Sequence, residues 1–195
     1  MEKGGLATTL TDAGVRAGQV IVHGDEMRLG LVGQVRRVWA PRGVKVRQRR
    51  QIVYQWRYLA LAVECGAATL RWRWLPNLKK ETMAELVGIW HQDGVAALVW
   101  DGSGSHRARV VRAVGPTQIR LPAYAPELNP AERVFEEIRG KCEGRLYATL
   151  DAKVAAVEQF LTELGTDAVR LRRLVGWNWI NEALTHLTAK NTVLS

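Results

Sequence analysis

The chain has 195 residues, enough for one domain with a sizeable core, and its 28 Lys and Arg against 19 Asp and Glu give a formal charge of +9. That excess favours a polyanionic partner, nucleic acid first, and no window approaches the roughly 18 uninterrupted apolar residues of a membrane span. Cys65 and Cys142 lie far apart without paired-cysteine spacing, which suggests neither a zinc site nor a disulfide framework and fits a reduced, cytoplasmic setting.

Residues 1–17 read as a mixed lead-in with at most a short helix over Thr11 to Arg16. Gln19 to His23 is a short apolar strand that Gly24, Asp25 and Glu26 are expected to end, leaving Asp25 at its carboxyl end. Acids at such places often only accept turn amides. From Arg36 to Arg50 seven basic residues occur with no acid: Arg36, Arg37, Arg42, Lys45, Arg47, Arg49 and Arg50. Val35 to Ala40 reads as a strand, Pro41-Arg42-Gly43 as a turn, and Val44 and Val46 as a returning strand with cations along one side, a geometry suited to a phosphate backbone.

Gln51 to Glu64 continues as an apolar strand, and Leu70 to Leu75 alternates Arg71 and Arg73 with Trp72 and Trp74. Interleaved Arg and Trp can stack on bases, but tryptophans on a strand are more often core, the reading favoured here. Met83, Leu86, Val87 and Trp90 recur at helical spacing over Lys79 to Gln92. Val95 to Trp100 is an apolar run of strand length that meets Asp101 and a Gly/Ser turn ending at His106. An Asx turn is the plain reading of Asp101. A short helix over Arg107 to Ala113 and a strand over Gln118 to Leu121 follow.

Pro122 and Pro126 hold the next segment extended, and Asn129, Pro130 and Glu132 form a helix start of N-cap, first-turn proline and capping-box acid. Val154, Val157, Leu161 and Leu164 mark another amphipathic helix, with helical sequence from Ala168 onward. Trp177 and Trp179 read as packing residues, and His23, His91 and His186 as structural or surface histidines.

Leu121 to Glu137, with Pro126-Glu127-Leu128-Asn129-Pro130-Ala131-Glu132 at its centre, resembles the signature of mariner-superfamily insertion-sequence transposases. Asp25 to Gly43 resembles that family's first motif, and Asp101 with His106 resembles its Asp-Asn-x-x-x-His pattern, except that Gly102 stands where relatives carry asparagine. The three matches occur in the family's order. They imply an α/β fold of the ribonuclease H-like kind, a mixed sheet flanked by helices with a helical C-terminal extension. The expected division is a lead-in at 1–17, a catalytic domain at 18–148 and a helical extension at 149–195.

The resemblance further implies that Asp25, Asp101 and Glu132 are catalytic acids and metal ligands. Asp25 would bridge two Mg2+ ions, for which Mn2+ can substitute, with Asp101 and Glu132 each completing one site in interchangeable roles. Oxygen-only ligands select hard cations, and two ions about 4 Å apart can serve an in-line phosphoryl displacement. Many relatives have a slightly longer interval before the third acid, which would point one turn on to Glu136; the motif selects Glu132.

Expected DNA contacts are the seven cations of the basic run with His106 and Arg107. The implied activity is metal-dependent cleavage and strand transfer at the ends of a mobile element, in a nucleoid-associated protein. The partners implied are double-stranded DNA, as element ends and target, and a second copy in a homodimer. Only 24 residues precede Asp25, too few for a helix-turn-helix reader, so an upstream product is expected to supply one. The alternatives are a non-catalytic DNA-binding remnant and a ribonuclease H-like nuclease with another nucleic-acid substrate.

Overall fold

The middle strand of the sheet, β1 (Val20–Gly30), has helices on both sides, and its alternation serves two cores at once. The computed structural model describes residues 5–33, 38–47, 51–142 and 144–192. A helix α1 (Gly5–Asp12) precedes β1, and β2 (Trp56–Glu64) and β3 (Thr69–Leu75) follow it. Next come α2 (Lys80–Gln92), β4 (Val95–Trp100), α3 (Arg109–Arg112) and β5 (Thr117–Arg120). A single 3-10 turn at Pro126–Leu128 leads into α4 (Pro130–Cys142), and α5 (Leu150–Thr166), α6 (Ala168–Val175) and α7 (Asn178–Thr192) complete the chain.

The strands run in the order β3-β2-β1-β4-β5, with β1, β2 and β3 antiparallel and β4 and β5 parallel to β1. On one face Val22, Ala60, Ala62, Leu98 and Trp100 pack against Met83, Leu86, Val87 and Trp90 of α2. On the other face Met27, Leu29, Leu59, Leu61 and Val63 meet Val134, Phe135 and Ile138 of α4 and Val157 and Leu161 of α5. Farther along that face Ile21, Ala97, Val99 and Ile119 pack with Leu6 and Leu10 of α1 and Ala183 and Leu187 of α7. The segment expected as a lead-in thus adds two buried leucines to a core shared with the last helix.

Several expected boundaries move, each for a physical reason. The strand expected to stop at Gly24-Asp25-Glu26 runs on to Gly30, because Met27 and Leu29 restore the period of two, buried on either side of exposed Arg28. Gly24 is no turn residue: a Cβ there would lie 2.8 Å from Leu98 Cδ1, so glycine lets two neighbouring strands and α2 close together. The first helix lies over Gly5–Asp12, ahead of the expected Thr11 to Arg16.

Of the hairpin expected at 35–46, the turn is present, with the Val44 amide donating to the Pro41 carbonyl at 3.1 Å, but 38–40 and 44–47 form no strand. Residues 35–37 lie outside the described residues. Val38, Val44 and Val46 are exposed, so no neighbour rewards their alternation. The strand expected from Gln51 begins at Trp56, where pairing with β1 starts; ahead of it the Gln51 and Gln55 carbonyls accept from the Gly33 and Leu31 amides, but 51–55 form no strand. Trp72 and Trp74 are half-buried against the α4–α5 core, and Trp74 Nε1 donates to Glu158 at 2.9 Å, as the packing reading anticipates.

Candidate active site

Parallel pairing of β1 with β4 sets His23 beside Val99, so two residues later Asp25 comes level with Asp101, just beyond the end of β4. Asp25 therefore sits inside its strand, not at its end, and it is the shorter neighbour that stops. Helix α4 is tied to this point by Asn129. Its Nδ2 donates to the Gly24 carbonyl at 3.0 Å and to Asp25 Oδ2 at 3.2 Å, while its Oδ1 accepts from the Ala131 amide at 3.2 Å. One buried amide thus caps the helix and anchors it to the central strand. Glu132, one turn in, then faces the same cleft of about 430 Å³ that Asp25 and Asp101 line.

The two aspartates differ in state. Burial pushes the Asp25 carboxyl up to about 7, and the negative charges of Glu26, Glu132 and Asp101 push the same way against a hydrogen bond from the Glu26 amide at 2.8 Å. Asp101 is held below the ordinary carboxylate range, chiefly by its 2.7 Å contact with His106 Nδ1 and also by the Ser103 amide at 3.0 Å. Glu132 gives its Oε2 to Arg139 Nη2 at 3.1 Å. Its carboxylate does not turn back as a capping box would require, for the Asn129 amide donates to the Pro126 carbonyl. Glu136 pairs with Arg133 at 2.6 Å outside the cleft.

His106 connects both faces of the sheet. Its ring lies flat on Trp100, 3.8 Å between centroids and 5° between planes, and its Nε2 meets Glu26 Oε2 at 3.0 Å. Burial opposes its charge, but Asp101 and Glu26 outweigh burial and raise its pKa to about 10. With both ring nitrogens protonated, each donates. Glu26, next to Asp25, leaves β1 from the opposite face, and its other oxygen, Oε1, is buried without a partner.

His106 is among the expected DNA contacts. In the fold it is 3% exposed with both nitrogens engaged, so its reach is to Asp101 and not to solvent. Arg107 beside it is exposed, as are Arg42, Lys45 and Arg47, whereas Arg36, Arg37, Arg49 and Arg50 lie outside the described residues. Glu26, and Arg120, which lines the cleft, stand in no local motif. The usable signal for Glu26 was a strand covered on both faces, which must give every side chain an interior neighbour. Asn129 was legible as a cap but not as an anchor. Among the described residues no three His, Cys, Asp or Glu side chains form a ready-made metal cage.

A mixed sheet of order 3-2-1-4-5 with acids at β1, after β4 and on the following helix defines the ribonuclease H-like class. The model of the DDE superfamily endonuclease family matches residues 20–152, more than half of the chain, and the chain belongs to that family. No curated protein is similar enough in sequence to match it.

Among solved structures, the Mos1 transposase paired-end complex with left transposon end is similar at a TM-score of 0.62 and 14% identity, over 93% of this chain and 59% of that one. The Mos1 mariner paired-end complex with Mg gives 0.63 and 12%, over 94% and 61%. The catalytic domain of Mos1 mariner transposase gives 0.55 and 13%, over 96% and 90%. At such identities the likeness establishes the fold, and the chain spans about three-fifths of the Mos1 chains in those paired-end complexes. Among the described residues no helix is long and apolar enough to cross a membrane.

Proposed function

We propose that this chain is the catalytic domain of a mariner-like transposase, cutting DNA at the ends of a mobile element and joining the freed 3′ ends to target DNA. The observation that carries the reading is the convergence of Asp25, Asp101 and Glu132 on one cleft, with the Asp25 carboxyl sensing the charge of both others. The similar Mos1 structures include a complex with a transposon end, a strand transfer complex, and paired-end complexes with Mg and with Mn. They support the same substrate and metal class here.

The donor set fits a hard divalent cation. All three groups are carboxylates, and burial first, with the like charges of Glu26, Glu132 and Asp101 behind it, raises the Asp25 carboxyl to about 7, a cost that a cation would offset. Asp25, Asp101 and Glu132 would be the residues that hold it, with Asp25 shared if two ions bind. The chemistry such ions would supply there is activation of the attacking oxygen and stabilisation of the leaving one.

The chain's own residues prepare that chemistry. Asn129 holds the Asp25 carboxylate and fixes how α4 presents Glu132. Trp100 and His106 fix the orientation of the Asp101 carboxylate, and Glu26 keeps His106 charged from behind. A homodimer, an upstream helix-turn-helix product that reads the element ends, and nucleoid association belong to the same reading.

The test is nicking of duplex DNA in Mg2+ or Mn2+. Asp25→Ala, Asp101→Ala and Glu132→Gln are each expected to reduce it at least about 1,000-fold, the several kcal/mol that metal-assisted catalysis supplies. Glu136→Gln should stay within about twofold, since that carboxylate is an exposed partner of Arg133. Activity lost with Glu136→Gln and kept with Glu132→Gln would reassign the third acid. Activity indifferent to chelator and to all four changes would remove the enzymatic reading.

A further inference from the structure

The cleft that would receive a phosphodiester is lined by three carboxylates and, among the described residues, by a single cation, Arg120. Arg120 closes β5 and pairs in register with Trp100, so its side chain starts beside the loop that carries Asp101 and Gly102. There the guanidinium occupies the space a side chain at position 102 would need. A Cβ on Gly102 would meet Arg120 Nε, and would lie 2.7 Å from Cζ and 2.9 Å from Nη2. A glycine at 102 and an arginine at 120 are therefore one feature: the missing side chain makes the seat and the guanidinium fills it.

The fold makes only through-space use of that cation, whose charge helps to hold Asp101 below the ordinary carboxylate range. Arg120 is exposed and has no hydrogen-bond or ion-pair partner among the described residues, and the nearby Asp101 carboxylate is already engaged by His106 at 2.7 Å. An exposed guanidinium at the mouth of the cleft, with its five donors unpaired among the described residues, suits a phosphate, whose oxygens it can grip in pairs. Its position also answers a charge problem, since three acids would otherwise repel the polyanion that must enter.

We infer that Arg120, seated over Gly102, is a substrate-binding residue that grips a DNA backbone phosphate at the mouth of the acidic cleft. The inference rests on the proposed function for its substrate class. Loss of one phosphate contact lowers the slope of log affinity against log salt by about 0.9 on duplex DNA. Loss of one charge-assisted contact weakens binding about 10- to 100-fold.

The experiment measures binding of a fluorescein-labelled DNA duplex of arbitrary sequence across a salt series with chelator present, and nicking of the same duplex with Mn2+. Arg120→Gln and Arg120→Ala are expected to weaken binding about 10-fold or more and to flatten the slope by about 0.9. Arg120→Lys should keep the slope and lose part of the affinity, because charge survives and the fork does not. Gly102→Ala, which thrusts a methyl into the guanidinium, should lose affinity in the Arg120 chain and cost nothing further once Arg120 is alanine. Melting temperatures accompany each variant, and if Gly102→Ala disturbs the fold, the Gln and Lys variants decide.

An unchanged slope and affinity in Arg120→Gln would overturn the inference, as would fully additive losses for Gly102→Ala and Arg120→Ala. The two readings fail separately. A wild-type chain that never nicks DNA but binds it through Arg120 would sink the enzyme and keep this contact. Nicking by wild type with Arg120→Gln unaltered in binding and rate would do the reverse.

Discussion

Across one cleft, Asp25 and Asp101 show what two backgrounds do to the same side chain. Asp25 projects from the middle of a central strand into a half-buried place with three other acids within electrostatic reach, and its carboxyl is driven up to about 7. Asp101 follows the end of its strand, half exposed, with a buried imidazolium at 2.7 Å, and is driven down. The first acid carries unfavourable charge that a proton, or a bound cation, relieves. The second is answered in advance by the protein. A site built this way keeps Asp101 charged and oriented near neutral pH and leaves Asp25 as the acid that the proposed metal would relieve.

Single substitutions should separate the two most sharply. Asp25→Asn and Asp101→Asn are both expected to lower nicking at least about 1,000-fold. Their effects on stability should have opposite signs. Asp25→Asn removes a charge that burial and neighbours disfavour, and the metal-free protein should melt at or above the wild-type temperature near pH 8. Asp101→Asn leaves His106 with one charged partner fewer, which costs about 1 kcal/mol once the exposure of Asp101 is allowed for. Equal and large destabilisation by both, measured by calorimetry, would erase the distinction.

The pH dependence sharpens the same contrast. Asp25 has its folded pKa, about 7, above its unfolded value, so the stability linked to its proton is fully present below about 4 and is lost as pH rises through 7. For His106, raised to about 10, the linked stability is fully present below about 6.5 and is lost as pH rises through 10. For Asp101, whose pKa is depressed, it is present above about 4 and is lost as pH falls through the folded value. Buried His23, whose pKa burial lowers to about 4, gains linked stability as pH rises from about 4 to 6.5 and opposes Asp25 there. The contrast is therefore read as a difference: relative to the metal-free wild type, Asp25→Asn should gain up to a few kcal/mol as pH rises from about 4 to 7. Mn2+ binding should tighten over the same range with release of up to about one proton, read by calorimetry in buffers of different ionisation enthalpy.

Glu26 tests the face behind the cleft. Its side chain is 7% exposed and that of His106 2%, so Glu26→Gln breaks a buried charge pair and is expected to cost about 3 kcal/mol, seen as a lower melting temperature at pH 7. The His106 pKa, followed by NMR of its ring protons, should fall. A shift with little loss of stability would mean that the Asp101 contact alone holds the imidazolium.

Much of this cleft was readable in the chain, but not the relations that make it work. The three acids announced themselves through local strings, since Asp25, Asp101 and Glu132 each sit in a motif of a few residues. The helix at Asn129 was equally legible, because capping is local chemistry. What stayed hidden depends on distant partners: Glu26 meets His106 across 80 positions, and Asn129 reaches the Gly24 carbonyl across 105. Gly24 misled because a glycine beside two acids reads as a turn, whereas tight packing against Leu98 demands it. Val44 and Val46 misled in the other direction, for strand-like alternation means little where no strand lies alongside.

The third acid offers the gentlest test of whether counter-charge decides behaviour here. Glu132 stands between the two extremes, its carboxylate shared with Arg139 at 3.1 Å and both side chains about a third exposed. A pair so open to water contributes about 0.5 kcal/mol, so Arg139→Ala should barely move the melting temperature. Its effect should appear in metal binding, because a divalent ion that needs Glu132 must compete with the guanidinium for the same oxygen and then sits near a positive charge. Deleting Arg139 removes both costs, and Mn2+ affinity, measured by electron paramagnetic resonance, should rise by about three- to tenfold for a gain near 1 kcal/mol. Arg139→Lys keeps the charge and should bind Mn2+ as wild type does. A fall in affinity with Arg139→Ala would show that the guanidinium holds Glu132 toward the cleft instead of away from it, and Glu132 would then join Asp101 as an acid the protein orients beforehand.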